Sequence, residues 1–204
     1  MKKLEKKKSA YINRRVFMKI RIATSKDAKS IQKIYAYYVQ NTNITFEYDA
    51  PNFEEIERRI NNTLHQYPYL VAIENGEVIG YAYASRYSAR KAFDWDCELS
   101  IYIKDGLSRK GCGTRLYKTL LSLLKKMNVK NVYACITHPN ANSERFHEVF
   151  GFQVVGIFQN CGYKFKKWHD VVWLEKKIGD YHEVSEFIPF SALSSTEIEL
   201  SLND

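Results

Sequence analysis

The stretch Leu107-Ser108-Arg109-Lys110-Gly111-Cys112-Gly113-Thr114 sets two cations and two glycines directly ahead of an apolar helical run from Arg115 to Met127. Glycine lets a backbone approach a ligand closely, and the first N–H groups of the following helix have no intrahelical partner. Those groups, with the positive end of the helix dipole, converge on an anion, and a pyrophosphate suits that geometry. A plain glycine turn before a helix is the alternative. The loop does not read G-x-x-x-x-G-K-[ST], and Leu116 stands where a dinucleotide fingerprint needs its third glycine, so both common nucleotide loops are excluded. Just upstream, Cys97, Leu99, Ile101 and Ile103 fall on one face of a strand and Glu98, Ser100 and Tyr102 on the other. An acid within a strand is either a solvated or ion-paired group or, in a cleft, a base.

Other reactive side chains carry less. Cys97, Cys112, Cys135 and Cys161 are widely spaced, without a C-x-x-C pair or a zinc-type histidine spacing, and read as reduced thiols, at least two of them buried in strands. Cys161 has no partner histidine that would make it a nucleophile, and the adjacent pair His169-Asp170 lacks a metal-ligand set.

The elements that must position these groups are legible from periodicity. Lys19 to Ala23 alternates as a strand, and Thr24-x-x-Asp27 offers a capping box to a helix carrying Ala28, Ile31, Ile34 and Tyr38. A second helix is expected from about Phe53 to His65. Strands from Tyr69 to Glu74 and Glu77 to Arg86 join at Asn75-Gly76, a hairpin signal. After the Glu98 strand, Leu116, Leu120, Leu123, Leu124 and Met127 make a helix stripe. The strand VYACIT, a short helix ANSERFHEVF closed by Gly151, and strands around FQVVGIF and HDVVWLEKK follow. Alternating elements with an antiparallel start and end predict an α/β fold with a mixed sheet.

The chain of 204 residues, 45% hydrophobic, supports one sizeable core. Residues 1–18 carry seven cations against Glu5 and read as a disordered basic tail; 180–204 hold six acids and no Lys or Arg and read as an acidic tail. The two cancel, so the domain expected over 19–179 keeps the whole net charge of +8. No apolar run reaches the roughly 20 residues of a membrane span, and no secretory signal opens the chain, which predicts a cytoplasmic protein with no membrane partner. Basic and aromatic residues are not interleaved as in base-stacking surfaces, which argues against nucleic acid.

The element order, with a basic glycine loop between a central strand and a helix, resembles the GNAT superfamily of acyltransferases, whose Q/R-x-x-G-x-G/A loop holds the pyrophosphate of acetyl-coenzyme A. Aligned on the glycines, Ser108 takes the place of the family's Gln or Arg, and Arg109 follows one position later. The segments ITFEYDAPNFEE, GYAYASRYSARKAFDWDCELSIYI, THPNANSERFHEVFGF and GYKFKKWHDVVWLEK are similar to phosphinothricin acetyltransferases and their relatives that acetylate methionine sulfoximine. The resemblance covers Lys19 to Ile178.

It implies a GNAT-type fold, with a mostly antiparallel central sheet flanked by helices, that moves the acetyl group of acetyl-coenzyme A to the amine of a small amino acid or analogue without a metal. In that reading Glu98 is the general base. Ser108, Arg109, Lys110, Gly111, Cys112, Gly113 and Thr114 bind the coenzyme, with the strand backbone of Ile101, Tyr102 and Ile103 steadying the oxyanion. His147 stands where many members carry a tyrosine that protonates the leaving sulfur. Asn142 matches an asparagine that contacts coenzyme A, or else caps the short helix. Arg86 and Arg90 are positioned to pair with acceptor anions, and Phe46, Glu47 and Tyr87 to line the other wall. Members of this type commonly form homodimers. A protein or peptide acetyltransferase and a noncatalytic coenzyme A-binding module are the alternatives.

Overall fold

The computed structural model describes residues 18–107, 111–182 and 184–203. The basic segment 1–18 lies, apart from Met18, outside the described residues, as do Ser108, Arg109 and Lys110. Seven strands form one sheet: β1 (Lys19–Ile22), β2 (Tyr69–Glu74), β3 (Glu77–Arg86), β4 (Asp96–Ile103), β5 (Asn131–His138), β6 (Gln153–Lys164) and β7 (Lys167–Lys177), in the order β1-β2-β3-β4-β5-β7-β6. Among the described residues five α-helices flank it: α1 (Ala28–Asn41), α2 (Phe53–Gln66), α3 (Cys112–Lys126), α4 (Ala141–Val149) and α5 (Ser195–Asn203). Every strand pair is antiparallel except β4 with β5.

Strand alternation divides the core into two. Tyr69, Val71 and Tyr81 turn to one face and pack with Ile31 of α1 and Ile60 of α2. Leu70, Ala82, Cys97 and Leu99 turn to the other and meet Leu116, Leu120 and Leu124 of α3. Local signals set the ends. The capping box at Thr24 forms, and Arg21 grips Asp27 through two bonds of 2.7 Å. Asn52 caps α2 by accepting from the Glu55 N–H at 2.8 Å. The Asn75-Gly76 hairpin turn takes positive φ at both residues, 53° and 83°.

The segment after Ile178, expected to be a tail, folds back onto the domain. Its Ile188 N–H donates to Met127 O at 3.0 Å, Trp95 Nε1 donates to Ser185 O at 2.7 Å, and Phe190 and Leu193 are buried. α5 then lies against α3, joined by the Ser122 and Ser201 hydroxyls at 3.1 Å. The six acids hide an apolar spacing, Phe187, Ile188, Phe190 and Leu193, then Ile198 and Leu202 four apart, that finds its partners in the α3 core.

Candidate active site

The parallel pairing of β4 and β5 lasts three rungs, Asp96 with Asn131, Cys97 with Val132 and Glu98 with Tyr133, and then the strands separate. From Ser100 to Ile103, β4 stays paired with β3 while its β5-facing edge is left open. Unpaired strand groups are donors and acceptors awaiting a partner. The split holds a cavity of about 60 Å³ whose walls include Ser100, Ile101, Cys135, Thr137, Tyr117 and His147. It continues into a trough of about 540 Å³ running along Ile101 and Ile103 to Gly111, Gly113 and Thr114, with Asn142 and Phe146 opposite.

Gly111 precedes α3 with φ 76°, a left-handed conformation that a side chain would strain. At Gly113 a Cβ would come within 3.3 Å of the Phe146 ring and 3.4 Å of Ile101, so glycine lets α3 close on these walls. The first N–H groups of α3, at Cys112, Gly113 and Thr114, have no intrahelical acceptor, and these residues line the trough. Backbone donors and a helix N-terminus beside an apolar channel fit a diphosphate carrying a slender chain, which is the chemistry of coenzyme A. Asn140 caps α4, accepting from the Ser143 N–H at 3.2 Å, so Asn142 is released from that task and lies in the trough wall.

Glu98 occupies the last paired rung. It is half-buried, it makes no hydrogen bond or ion pair among the described residues, and burial pushes its pKa up from the ordinary glutamate value. Around it on the α1–α2 face stand two walls. Tyr87 stacks on Tyr133 with centroids 4.6 Å apart and meets Trp173 edge-on. Glu47 accepts from Tyr35 Oη at 3.0 Å and from Arg59 Nη1 at 2.8 Å. Burial, opposed by Thr45 and reinforced by Glu47, drives the Tyr35 phenol up to about 12. Phe46 covers Gly162 so closely that a Cβ there would sit 2.1 Å from its ring. The α1–α2 loop is thereby clamped to the β6–β7 hairpin, helped by Lys164 Nζ donating to Val39 O and Thr45 O at 2.7 Å each.

The structure separates some residues grouped by the sequence. Arg86 stands opposite Cys97 and Ser85 opposite Glu98, so Arg86 projects from the α3 face, where it pairs with Asp94 at 2.7 Å. This corrects its assignment to the acceptor wall: one step along a strand reverses the face. Arg90 is exposed in the loop before β4, its side chain unpaired among the described residues. The cation that does reach the Glu98 face is Arg59, fixed by Glu47 and, through Nε, by Glu55 at 2.7 Å. The sequence does not reveal it, because the polar side of a helix reads as solvated, although Glu55, at i−4, is a visible partner.

His147 is placed differently from the acid expected of it. It is 2% exposed; its Nδ1 donates to Ser143 O at 2.8 Å and its Nε2 accepts from Tyr117 Oη at 2.7 Å. Burial lowers its pKa, so it is neutral near pH 7 and has no free proton to give a thiolate. His169 is locked in the same way, accepting from Asn43 at Nδ1 and donating to Lys164 O from Nε2. Cys97 and Cys112 are buried, the first in β4 and the second opening α3; Cys135, exposed in the split, has its thiol pushed to about 12 by burial of its sulfur. Among the described residues no cluster of His, Cys, Asp or Glu is arranged to hold a metal, and no helix is long and apolar enough to cross a membrane.

Residues 20–173 match the acetyltransferase (GNAT) domain. The chain is 34% identical to the phosphinothricin N-acetyltransferase of Streptomyces viridochromogenes, over 76% of this chain and 84% of that one. It is 30% identical to the L-methionine sulfoximine/L-methionine sulfone acetyltransferase of Salmonella typhimurium, over 80% and 96%. Its fold superposes on the crystal structure of a GNAT phosphinothricin acetyltransferase from Sinorhizobium meliloti in complex with acetyl-coenzyme A with a TM-score of 0.80 and 29% identity, covering 86% of this chain and 97% of that one. With the split strands, the glycine turn ahead of α3 and these likenesses together, the chain belongs to the GNAT family of acetyl-coenzyme A-dependent N-acetyltransferases.

Proposed function

We propose that the protein acetylates the α-amino group of a small amino acid or analogue of the phosphinothricin or methionine sulfoximine type, with Glu98 as general base. One observation carries the reading. Glu98 is a half-buried carboxylate, unpaired among the described residues, at the rung where β4 and β5 part, with Tyr133 beside it and Tyr83 on the same face of the sheet. Acetyl-coenzyme A supplies the activated acetyl group. Its diphosphate is held by the turn from Ser108 to Thr114, and its chain passes Asn142 and the open edge of Ile101 to Ile103. Glu98 draws a proton from the acceptor ammonium, directly or through one water, so that the nitrogen lone pair is free to attack. An N–H of the open β4 edge donates to the oxygen that gains charge, and the carbon–sulfur bond breaks. His147 holds α4 against α3; as the thiolate leaves, the nitrogen sheds its second proton to solvent, and the sulfur takes one from solvent. Arg59, with Arg90 at the loop, meets the acceptor's anionic groups.

The exposed apolar side chains Val154, Val155, Ile157 and Phe158 on the edge strand β6 support a homodimer through that edge. A dimer mass by sedimentation equilibrium is expected, and a monomer at micromolar concentration contradicts it. The free thiols suit a reducing cytoplasm. The activity is tested by thiol release from acetyl-coenzyme A over a panel of free amino acids, phosphinothricin, methionine sulfoximine and short peptides. Turnover on one or more small amino acids is expected. Turnover on peptides alone, or on none, overturns the assignment.

A further inference from the structure

Residues 42–52 carry no helix or strand, yet Ile44 among them lines both the cavity in the split and the trough that leads to Gly111. Its side chain thus stands where the two spaces meet. The carbonyls on either side of Ile44 are held from other strands. Asn43 O accepts from Thr137 Oγ1 of β5 at 2.7 Å, and Thr45 O accepts from Lys164 Nζ at the end of β6, also at 2.7 Å. Lys164 is 2% exposed, and its Nζ donates as well to Val39 O, 2.7 Å away in the last turn of α1, where carbonyls lack an intrahelical donor. The Phe165 ring covers the ammonium with its centroid at 5.1 Å. Burial lowers the pKa of this amine, and the Glu47 carboxylate opposes that. An ammonium is costly to bury unless its protons are placed; here they tie the end of α1 and the loop after it to the β6–β7 hairpin.

We propose that Lys164 is a positioning residue for acetyl transfer: by holding Thr45 it fixes Ile44 over the reacting end of the coenzyme, and so steers the thioester to the amine and away from water. The inference rests on the coenzyme and acceptor reading above for the place of the thioester. A loop without regular structure samples many conformations unless it is anchored. With both flanking carbonyls held, Ile44 has one position, and an apolar side chain there narrows the room for water beside the acetyl group. Without Lys164, Thr45 O is released while Asn43 O keeps Thr137, and Ile44 swings on one tether. The amine then loses a wall that aligns it with the thioester, and water gains access. In the reaction with water, the water oxygen bonds the acetyl carbon, the carbon–sulfur bond breaks, and acetate, a proton and the free thiol leave. A purely structural lysine would lower stability and alter neither alignment nor water access.

The test compares the wild type with Lys164→Met, which keeps the apolar stem and removes every donor, with Ile44→Ala, and with the two combined. Circular dichroism checks folding, and Lys164→Gln replaces Lys164→Met if the latter does not fold. Three quantities are read: the acceptor KM, thiol release from acetyl-coenzyme A without any amine, and the calorimetric Kd of coenzyme A. Lys164→Met is expected to raise the acceptor KM about tenfold and amine-free thiol release severalfold, with the Kd of coenzyme A within about threefold of wild type. Because Lys164 acts through Ile44, the combined variant should be no worse than the more severe single one. An acceptor KM or an amine-free rate that stays at the wild-type value in a folded Lys164 variant overturns the proposal, as do single effects that multiply in the combined variant. A wild type that turns over no amino acid overturns the acceptor reading instead, and the amine-free rate, which needs no acceptor, still decides on Lys164.

Discussion

The base role proposed for Glu98 rests on its position rather than its type. In most strands a glutamate reaches water or an arginine; here the departure of β5 leaves it half-buried and without a partner among the described residues. Burial raises its pKa, so the basic form dominates only above the ordinary glutamate range, and kcat/KM should climb with pH through that raised value. Glu98→Gln is expected to lose about 10²- to 10⁴-fold in kcat and to lack that limb, with the deficit narrowing at high pH as the free amine supplies its own neutral fraction. A pH profile of both forms decides it: an identical profile removes the base assignment, and an equal loss at every pH makes Glu98 a positioning group. For His147 the expectation runs the other way. Tyr117→Phe takes the donor from a buried ring nitrogen and should lower unfolding free energy by about 1–3 kcal/mol with kcat little changed. A collapse of kcat in a folded variant would instead give the pair a part in catalysis.

At the level of elements, the C-terminal segment does structural work that its composition conceals. Phe190 is 6% exposed in the core between α3 and the end of α2, on the face away from Glu98. Phe190→Ala should lower stability by about 3–5 kcal/mol in chemical denaturation while leaving turnover per folded molecule near wild type. A negligible change would make the segment dispensable. What was legible in the sequence, and what was not, divides along the same line. The Asn75-Gly76 hairpin, the glycine turn ahead of α3 and the in-and-out alternation that isolates Glu98 are local, set by dihedral preference and period. Arg86 shows the limit of loop reading, since the same alternation that exposes Glu98 sends Arg86 to the opposite face. Arg59 reaches Glu47 only after the α1–α2 loop folds over the hairpin, and the docking of Phe190 and Leu193 needs a surface that α3 and α2 build together. Contacts of that kind depend on tertiary placement, which periodicity does not encode.

The whole molecule brings two faces of one sheet to a single gap. α3 and α4 present a helix N-terminus and a trough from one side; α1 and α2 pack on the other, where Glu47 joins Tyr35 and Arg59. β4 and β5 separate between them, and the proposed transfer is set in that gap. The most direct measurement is a crystal structure with coenzyme A and the best amino-acid acceptor found in the panel. The account predicts the coenzyme's sulfur in the split beside Ile101, its diphosphate on the N–H groups of Gly111 to Thr114, and the acceptor nitrogen within hydrogen-bond reach of Glu98 or one water away. A coenzyme lying outside the split, or an acceptor nitrogen remote from Glu98, would contradict it.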